Sequence, residues 1–291
     1  MQRQNTVMRG VIPVLCAAML WGTTGTLQTM LPDTKDPLVV GAFRLIFGAL
    51  TLVGVAAMSA HTRAAFKHLP LGHIVAAGVA IGAYNMLFFA GVLKAGVGIG
   101  TAITIGSAPI WVTVILYIRH RHLPRQIQLL GKALCIFGAI LLVAPQGHIS
   151  IPLASVMLAL ASGLSYALYS LVSSNMPGDI PSNTQAAATF CVAAFVTLRV
   201  VLIAPVAWVA TSAALVPLAI LGVVSTGLAY ALYTWGLRSV SAPSAVTLAL
   251  AEPLTAWVLA LVVVGETVTL VSGMGAASLF VGIAVVSLNS R

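Results

Sequence analysis

Residues 97–118 read VGIGTAITIGSAPIWVTVILYI, and residues 241–262 read SAPSAVTLALAEPLTAWVLALV. Each is apolar over the roughly 20 residues that a helix needs to cross a bilayer. Glu252 is the one charged side chain in the pair. Neither run alternates apolar and polar residues, so neither reads as a barrel strand, and a helix satisfies its own backbone in hydrocarbon. The two runs lie 144 positions apart, and at that offset Pro109 meets Pro253.

The same offset holds along the chain. Pro37 meets Pro181, Gly78 meets Gly222, Lys94 meets Arg238, Gly131 meets Gly275 and Gly138 meets Gly282, without a gap. Single matches mean little at this composition, but prolines, glycines and basic helix ends falling into one register indicate an internal repeat. Apolar stretches fall at 11–31, 37–59, 71–92, 97–118, 126–144, 152–172, 184–204, 214–237, 241–263 and 269–288. Turn chemistry separates them, as at Leu31-Pro32-Asp33, Ala144-Pro145-Gln146-Gly147 and Met176-Pro177-Gly178-Asp179. The expected fold is therefore an all-α membrane protein of ten transmembrane helices. Residues 1–148 form the first five-helix repeat and 149–291 the second, within one transporter domain spanning 1–291. Five is odd, so the second repeat enters the membrane upside down. Such inverted repeats recur in secondary transporters, with the substrate site near the midplane where they meet.

Composition agrees. Of 291 residues 60% are hydrophobic and 7% charged, and mean hydropathy is +1.07. A soluble domain carries about 25% charged residues, so a soluble enzyme and a nucleic-acid module are both excluded. The net charge of +9 belongs to short loops rather than to a nucleic-acid surface. With the N-terminus inside, nine cations fall on the cytoplasmic side: Arg3, Arg9, Arg63, Lys67, Arg119, Arg121, Arg125, Arg238 and Arg291. Two, Lys35 and Lys94, fall outside. The positive-inside rule then puts both termini in the cytoplasm. The run after Arg9 continues past Trp21 to Leu31, so it reads as a retained first helix rather than a signal peptide. Cys16, Cys135 and Cys191 sit singly in apolar runs, with no disulfide or metal spacing. The histidines have no acidic neighbours, and no metal site, nucleophile elbow or P-loop is present. The expectation is no enzyme, no cofactor and no ATP hydrolysis by this chain alone.

The order of motifs resembles the EamA type of the drug/metabolite transporter superfamily. Trp21-Gly22-Thr23-Thr24-Gly25 follows an Ala-rich first helix. Ala251-Glu252-Pro253 sits mid-span, Gly265-Glu266 closes that span, and Gly275-Ala276-Ala277 and Gly282 follow. Val92-Leu93-Lys94 and Gly236-Leu237-Arg238 end matched helices. The resemblance covers the whole chain. It implies a central cavity between the repeats and export of small metabolites across the inner membrane, amino acids first, as in YddG-like exporters. The first half departs from the second, with Ala108 where Glu252 stands and His122 where Glu266 stands.

Residues at depth supply the candidate site. A helical proline leaves the carbonyl four residues earlier without its donor. Pro109 and Pro253 would thus free the carbonyls of Ile105 and Ala249 at paired helix bends. Trp21, Tyr84, Asn85, Trp111, Tyr166, Tyr169, Tyr230, Tyr233 and Trp235 suggest an aromatic-walled cavity with few polar anchors; core packing is the alternative for each. Arg44 and Arg199 lie near the outer ends of their spans and are expected to snorkel. Glu252 is mid-membrane and short. It could be an ion-pair strut, an anchor for a substrate amine, or a proton carrier. The amino-acid exporter is the first reading. An exporter of drugs or hydrophobic cations using Glu252 is the second.

Overall fold

The computed structural model describes residues 2–95, 97–142, 152–264 and 267–289. All regular structure among them is helical. The helices are α1 (Gln2–Gly22), α2 (Thr24–Thr29), α3 (Pro37–Ala57), α4 (Ala60–Ala65), α5 (Leu71–Ala95), α6 (Val97–His120) and α7 (Gln126–Leu142). They continue with α8 (Leu153–Ser174), α9 (Ser182–Ile203), α10 (Ser212–Gly222), α11 (Ala229–Gly236), α12 (Ala242–Leu248), α13 (Ala251–Leu259) and α14 (Leu270–Leu288). Nine helical stretches among the described residues are long and apolar enough to cross a membrane, and α7, with 17 residues, is a shorter tenth. The proposed repeat boundary at 148/149, the turn at Pro145, His148, Gly96, Gly265, Glu266 and Arg291 lie outside the described residues.

Local chemistry fixes the helix ends. Asp36 caps α3 by accepting from Leu38 N at 2.8 Å, with Pro37 in the first turn. A capping box between Thr269 and Ser272 opens α14. The outward faces are apolar: Phe195 is 76% exposed and Leu202 75%. In water such a surface would aggregate; lipid satisfies it.

Inside, small residues let helix backbones meet. An ideal Cβ on Gly138 would lie 2.6 Å from the Gly275 carbonyl and from Leu279 N, and one on Gly282 would lie 2.9 Å from the Gly131 carbonyl. Gly131 faces Val285 and Val286. Numbers fall along α14 as they rise along α7, so the two helices run antiparallel. Ser278 donates to the Leu134 carbonyl at 3.0 Å across this seam, and those two residues are 144 positions apart. Gly78 makes room in the same way for Val192 of α9, and Gly222 for Phe47 of α3. The remaining packing is reciprocal. α5 lies on α8 as α11 lies on α1, and α6 lies on α8 as α13 lies on α1.

Three spans are not continuous α-helix. The first breaks at Thr23, whose hydroxyl donates to the Leu20 carbonyl at 2.7 Å. Between α10 and α11 the chain widens into a π-helical turn, Val223–Leu228. Between α12 and α13 it breaks at Ala249–Leu250, and a second π-helical turn, Ala260–Val264, follows α13. The two matched prolines differ in their surroundings. α6 runs without interruption through Pro109. The Ala249 carbonyl is not left free either, because Glu252 N donates to it at 3.0 Å. A tightened turn has replaced the missing proline donor.

Candidate functional site

The two broken spans face each other. Gly22, at the end of α1, lies so close to α13 that a Cβ there would be 2.6 Å from Thr255 Cβ and 2.8 Å from the Glu252 carbonyl. Beyond this crossing a cavity of about 560 Å³ opens toward the connection between α2 and α3. Trp21, Thr24, Gly25 and Gln28 line one wall, and Glu252, Pro253, Ala256 and Trp257 another. Phe88, Thr101 and Leu142 complete it, with Lys35 at the loop end. A Cβ on Gly25 would meet nothing within 4 Å, so its wall faces empty space.

The polar groups here are unfinished. Trp21 Nε1, Thr24 Oγ1 and Gln28 Nε2 are buried with no hydrogen-bond partner. Leaving such a group unpaired costs about 1–3 kcal/mol, and three at one cavity mark a place for water or a ligand. The Glu252 carboxylate lies in the first turn of α13, where the helix dipole favours an anion. Among the described residues the charge that acts on it is that of Arg44.

Arg44 also departs from expectation. It does not snorkel. It is 5% exposed and reaches inward, donating from Nε to Thr226 Oγ1 at 2.8 Å and from Nη2 to the Ser225 carbonyl at 3.5 Å. Both acceptors belong to the π-helical turn, and Thr23 at the first break bonds Ser225 Oγ at 2.9 Å. Arg44 thereby ties α3 to that turn and stands within electrostatic reach of Glu252. Arg199 is exposed near the end of α9, as a snorkelling cation would be.

The structure divides the other sequence candidates. Trp21 lines the cavity, and its ring also packs on Tyr230 at 4.8 Å, Tyr233 at 5.3 Å and Tyr166 at 6.1 Å. Tyr84, Tyr166, Tyr169, Tyr230 and Tyr233 are buried together on the far side of Trp21, joined by Phe190. They line no wall of the cavity. They close its inner end as a packed cluster, stitched by Tyr233 Oη with Ser170 Oγ at 2.8 Å. Asn85 donates to the Gly41 carbonyl at 2.7 Å, so it joins α5 to α3. Trp111 donates to the Leu160 carbonyl at 3.1 Å and joins α6 to α8. Trp235 is 55% exposed on the outer face and meets neither cavity nor cluster. Asn85→Leu is expected to remove this second bond to the Gly41 carbonyl, which lies within the α3 ladder, and lower the thermal midpoint by a few degrees, about 0.5–1.5 kcal/mol, without altering ligand affinity; calorimetry with and without ligand checks both.

Sequence reasoning missed Thr24, Gln28 and Lys35. The signal was present in Gly22-Thr23-Thr24-Gly25, a poor helical sequence inside a stretch read as one helix. Among the described residues no group of three or more histidine, cysteine or acidic side chains could hold a metal ion.

Comparison with known proteins places this arrangement. Residues 8–144 and, separately, 153–288 match the EamA-like transporter family. The chain is 34% identical over 278 residues to the Bacillus subtilis (strain 168) protein named uncharacterized transporter YwfM, covering 96% of this chain and 93% of that one. A protein crystal structure 18% identical in sequence superposes with a TM-score of 0.80 over 97% of each chain, which supports the fold alone. With two matched segments covering nearly its whole length, this multi-pass membrane protein belongs to the EamA-like transporter family.

Proposed function

We propose that the chain is a secondary transporter that exports amino acids across the inner membrane by alternating access, with both termini in the cytoplasm. The carrying observation is the cavity between two broken helices, with the Glu252 carboxylate on one wall and, among the described residues, three unpartnered buried polar groups on the other. A zwitterion answers that set. Its ammonium meets Glu252. Its carboxylate meets the Gln28 amide and the Trp21 indole N–H, with Lys35 adding positive charge at the mouth. Trp21 and Trp257 offer apolar area to its side chain.

The halves 1–148 and 149–291 are read as inverted repeats. The antiparallel α7–α14 seam and the reciprocal packing, α8 on α5 and α6 as α1 on α11 and α13, support that reading. Alternating access then has a physical form. The cavity opens at one end, and the tyrosine cluster closes the other. The spans matched to the broken ones, α8 and α6, are unbroken. In the opposite state the interruptions pass to α8 and α6, and the tyrosines separate. Accessibility labelling of single cysteines in cells tests the orientation. Termini on opposite faces would remove the inverted repeat.

Labelled amino-acid counterflow in liposomes holding the pure protein tests the function. Saturable flux is expected, falling at least tenfold in Glu252→Gln, as loss of one buried charge-assisted hydrogen bond of about 1.5–3 kcal/mol requires. No saturable flux of any amino acid would remove this substrate class. The second reading, a hydrophobic-cation exporter, draws on Glu252 standing near Trp21 and Trp257. In that case cationic dyes and not amino acids would be carried, and Lys35→Ala would raise dye flux. Gly25→Phe is expected to fill the cavity and abolish flux while leaving the thermal midpoint unchanged, because its Cβ meets nothing within 4 Å and Gly25 lines the cavity that would receive the ring.

A further inference from the structure

A second cavity, of about 400 Å³, lies at the opposite end of the same helices. It sits between the end of α6, the start of α7, the start of α12 and the end of α14, and shares no lining residue with the transport cavity. Its inner wall carries Lys132, which is only 7% exposed. The Lys132 ammonium donates to Thr113 Oγ1 at 2.9 Å. An ammonium has three donors, and a buried charge is costly unless an opposite charge or several acceptors meet it. No acidic residue lines this cavity among the described residues.

The rim is basic as well. Arg121 takes a left-handed turn with φ 57°, closing α6 through its N–H to the Tyr117 carbonyl at 2.8 Å. That turn leaves His120 and His122 both on the cavity wall, with Arg119 and Arg125 beside them in sequence. Ser244 and its bonded neighbour Ser241 supply hydroxyls on the facing wall. Leu123, 67% exposed, marks an apolar edge toward lipid.

We propose that this cavity is a binding site for a phosphate-type anion, held by the Lys132 ammonium with the histidines and serine hydroxyls around it. The same chemistry is offered by an anionic lipid headgroup and by free phosphate. Charge-assisted bonds from a buried ammonium to phosphate oxygens are the strong class of hydrogen bond.

The test measures binding to the purified full chain by native mass spectrometry and thermal shift. The probes are inorganic phosphate, phosphatidylglycerol and phosphatidylcholine. Wild-type protein is expected to retain phosphatidylglycerol over phosphatidylcholine, with affinity weaker by about tenfold or more in Lys132→Met. Leu116→Trp fills the cavity while keeping Lys132, and is expected to lose the same binding, so the result does not depend on Lys132→Met folding. A thermal shift with inorganic phosphate that both variants abolish assigns a free-anion site; a shift with phosphatidylglycerol alone assigns a headgroup site. Equal response of wild type and both variants, or no anion response in wild type, overturns the proposal.

Discussion

Gly138→Val is expected to prevent accumulation of folded protein. A Cβ at this position would stand 2.6 Å from the Gly275 carbonyl and from Leu279 N, both backbone atoms that cannot rotate away. The α7–α14 seam would have to part along its length, taking the Ser278–Leu134 hydrogen bond with it. Overpacking a good core costs about 1–3 kcal/mol and more when backbone must move, against a total stability of about 5–15 kcal/mol. Gly72→Val, where a Cβ meets nothing within 4 Å, is the control and is expected to fold. Fluorescence-detected size-exclusion of tagged variants reads the outcome. A monodisperse Gly138→Val protein at wild-type yield would show that the seam does not hold the halves together.

Arg44→Leu is expected to lose both stability and transport. Its two hydrogen bonds hold the π-helical turn at Ser225 and Thr226, and its charge faces Glu252. Hydrogen bonds to charged groups contribute about 1.5–3 kcal/mol each, so a loss of about 3 kcal/mol is expected. Arg44→Lys should not restore it. A lysine presents a point charge on a flexible stem and cannot reproduce the guanidinium fork. The thermal midpoint in detergent and flux in liposomes are the two measurements. An Arg44→Lys protein equal to wild type in both would show that charge alone suffices.

The fold was readable because helix length, glycine register and proline register are local or additive signals. Gly131, Gly138, Gly275 and Gly282 matched in sequence and meet in space for the same reason, since a helix crossing needs small residues at one face. The site was less readable. Arg44 sits in the first half of its span, and depth alone implied snorkelling; its partner is 182 positions away in a π-helical turn that no periodicity announces. Tyr166 and Tyr169 share a helix face, but spacing does not say whether that face meets void or other rings. Asn85 was polar at depth, yet its need was met by a backbone carbonyl on α3. Pro109 and Pro253 are matched in sequence and differ in structure: α6 runs through Pro109, whereas the span of Pro253 breaks at Ala249–Leu250.

The contact between Leu134 and Ser278 has one more consequence. Each residue touches its own counterpart, which is what happens on a dyad axis between two identical molecules, an isologous contact. The covalent link between residues 142 and 153 is then not what creates the interface. Residues 1–142 and 153–291, expressed as two separate polypeptides, are expected to find each other in the bilayer and copurify. Copurification would give the two matched segments the assembly behaviour of a pair of subunits, differing most visibly at Ala108 and Glu252.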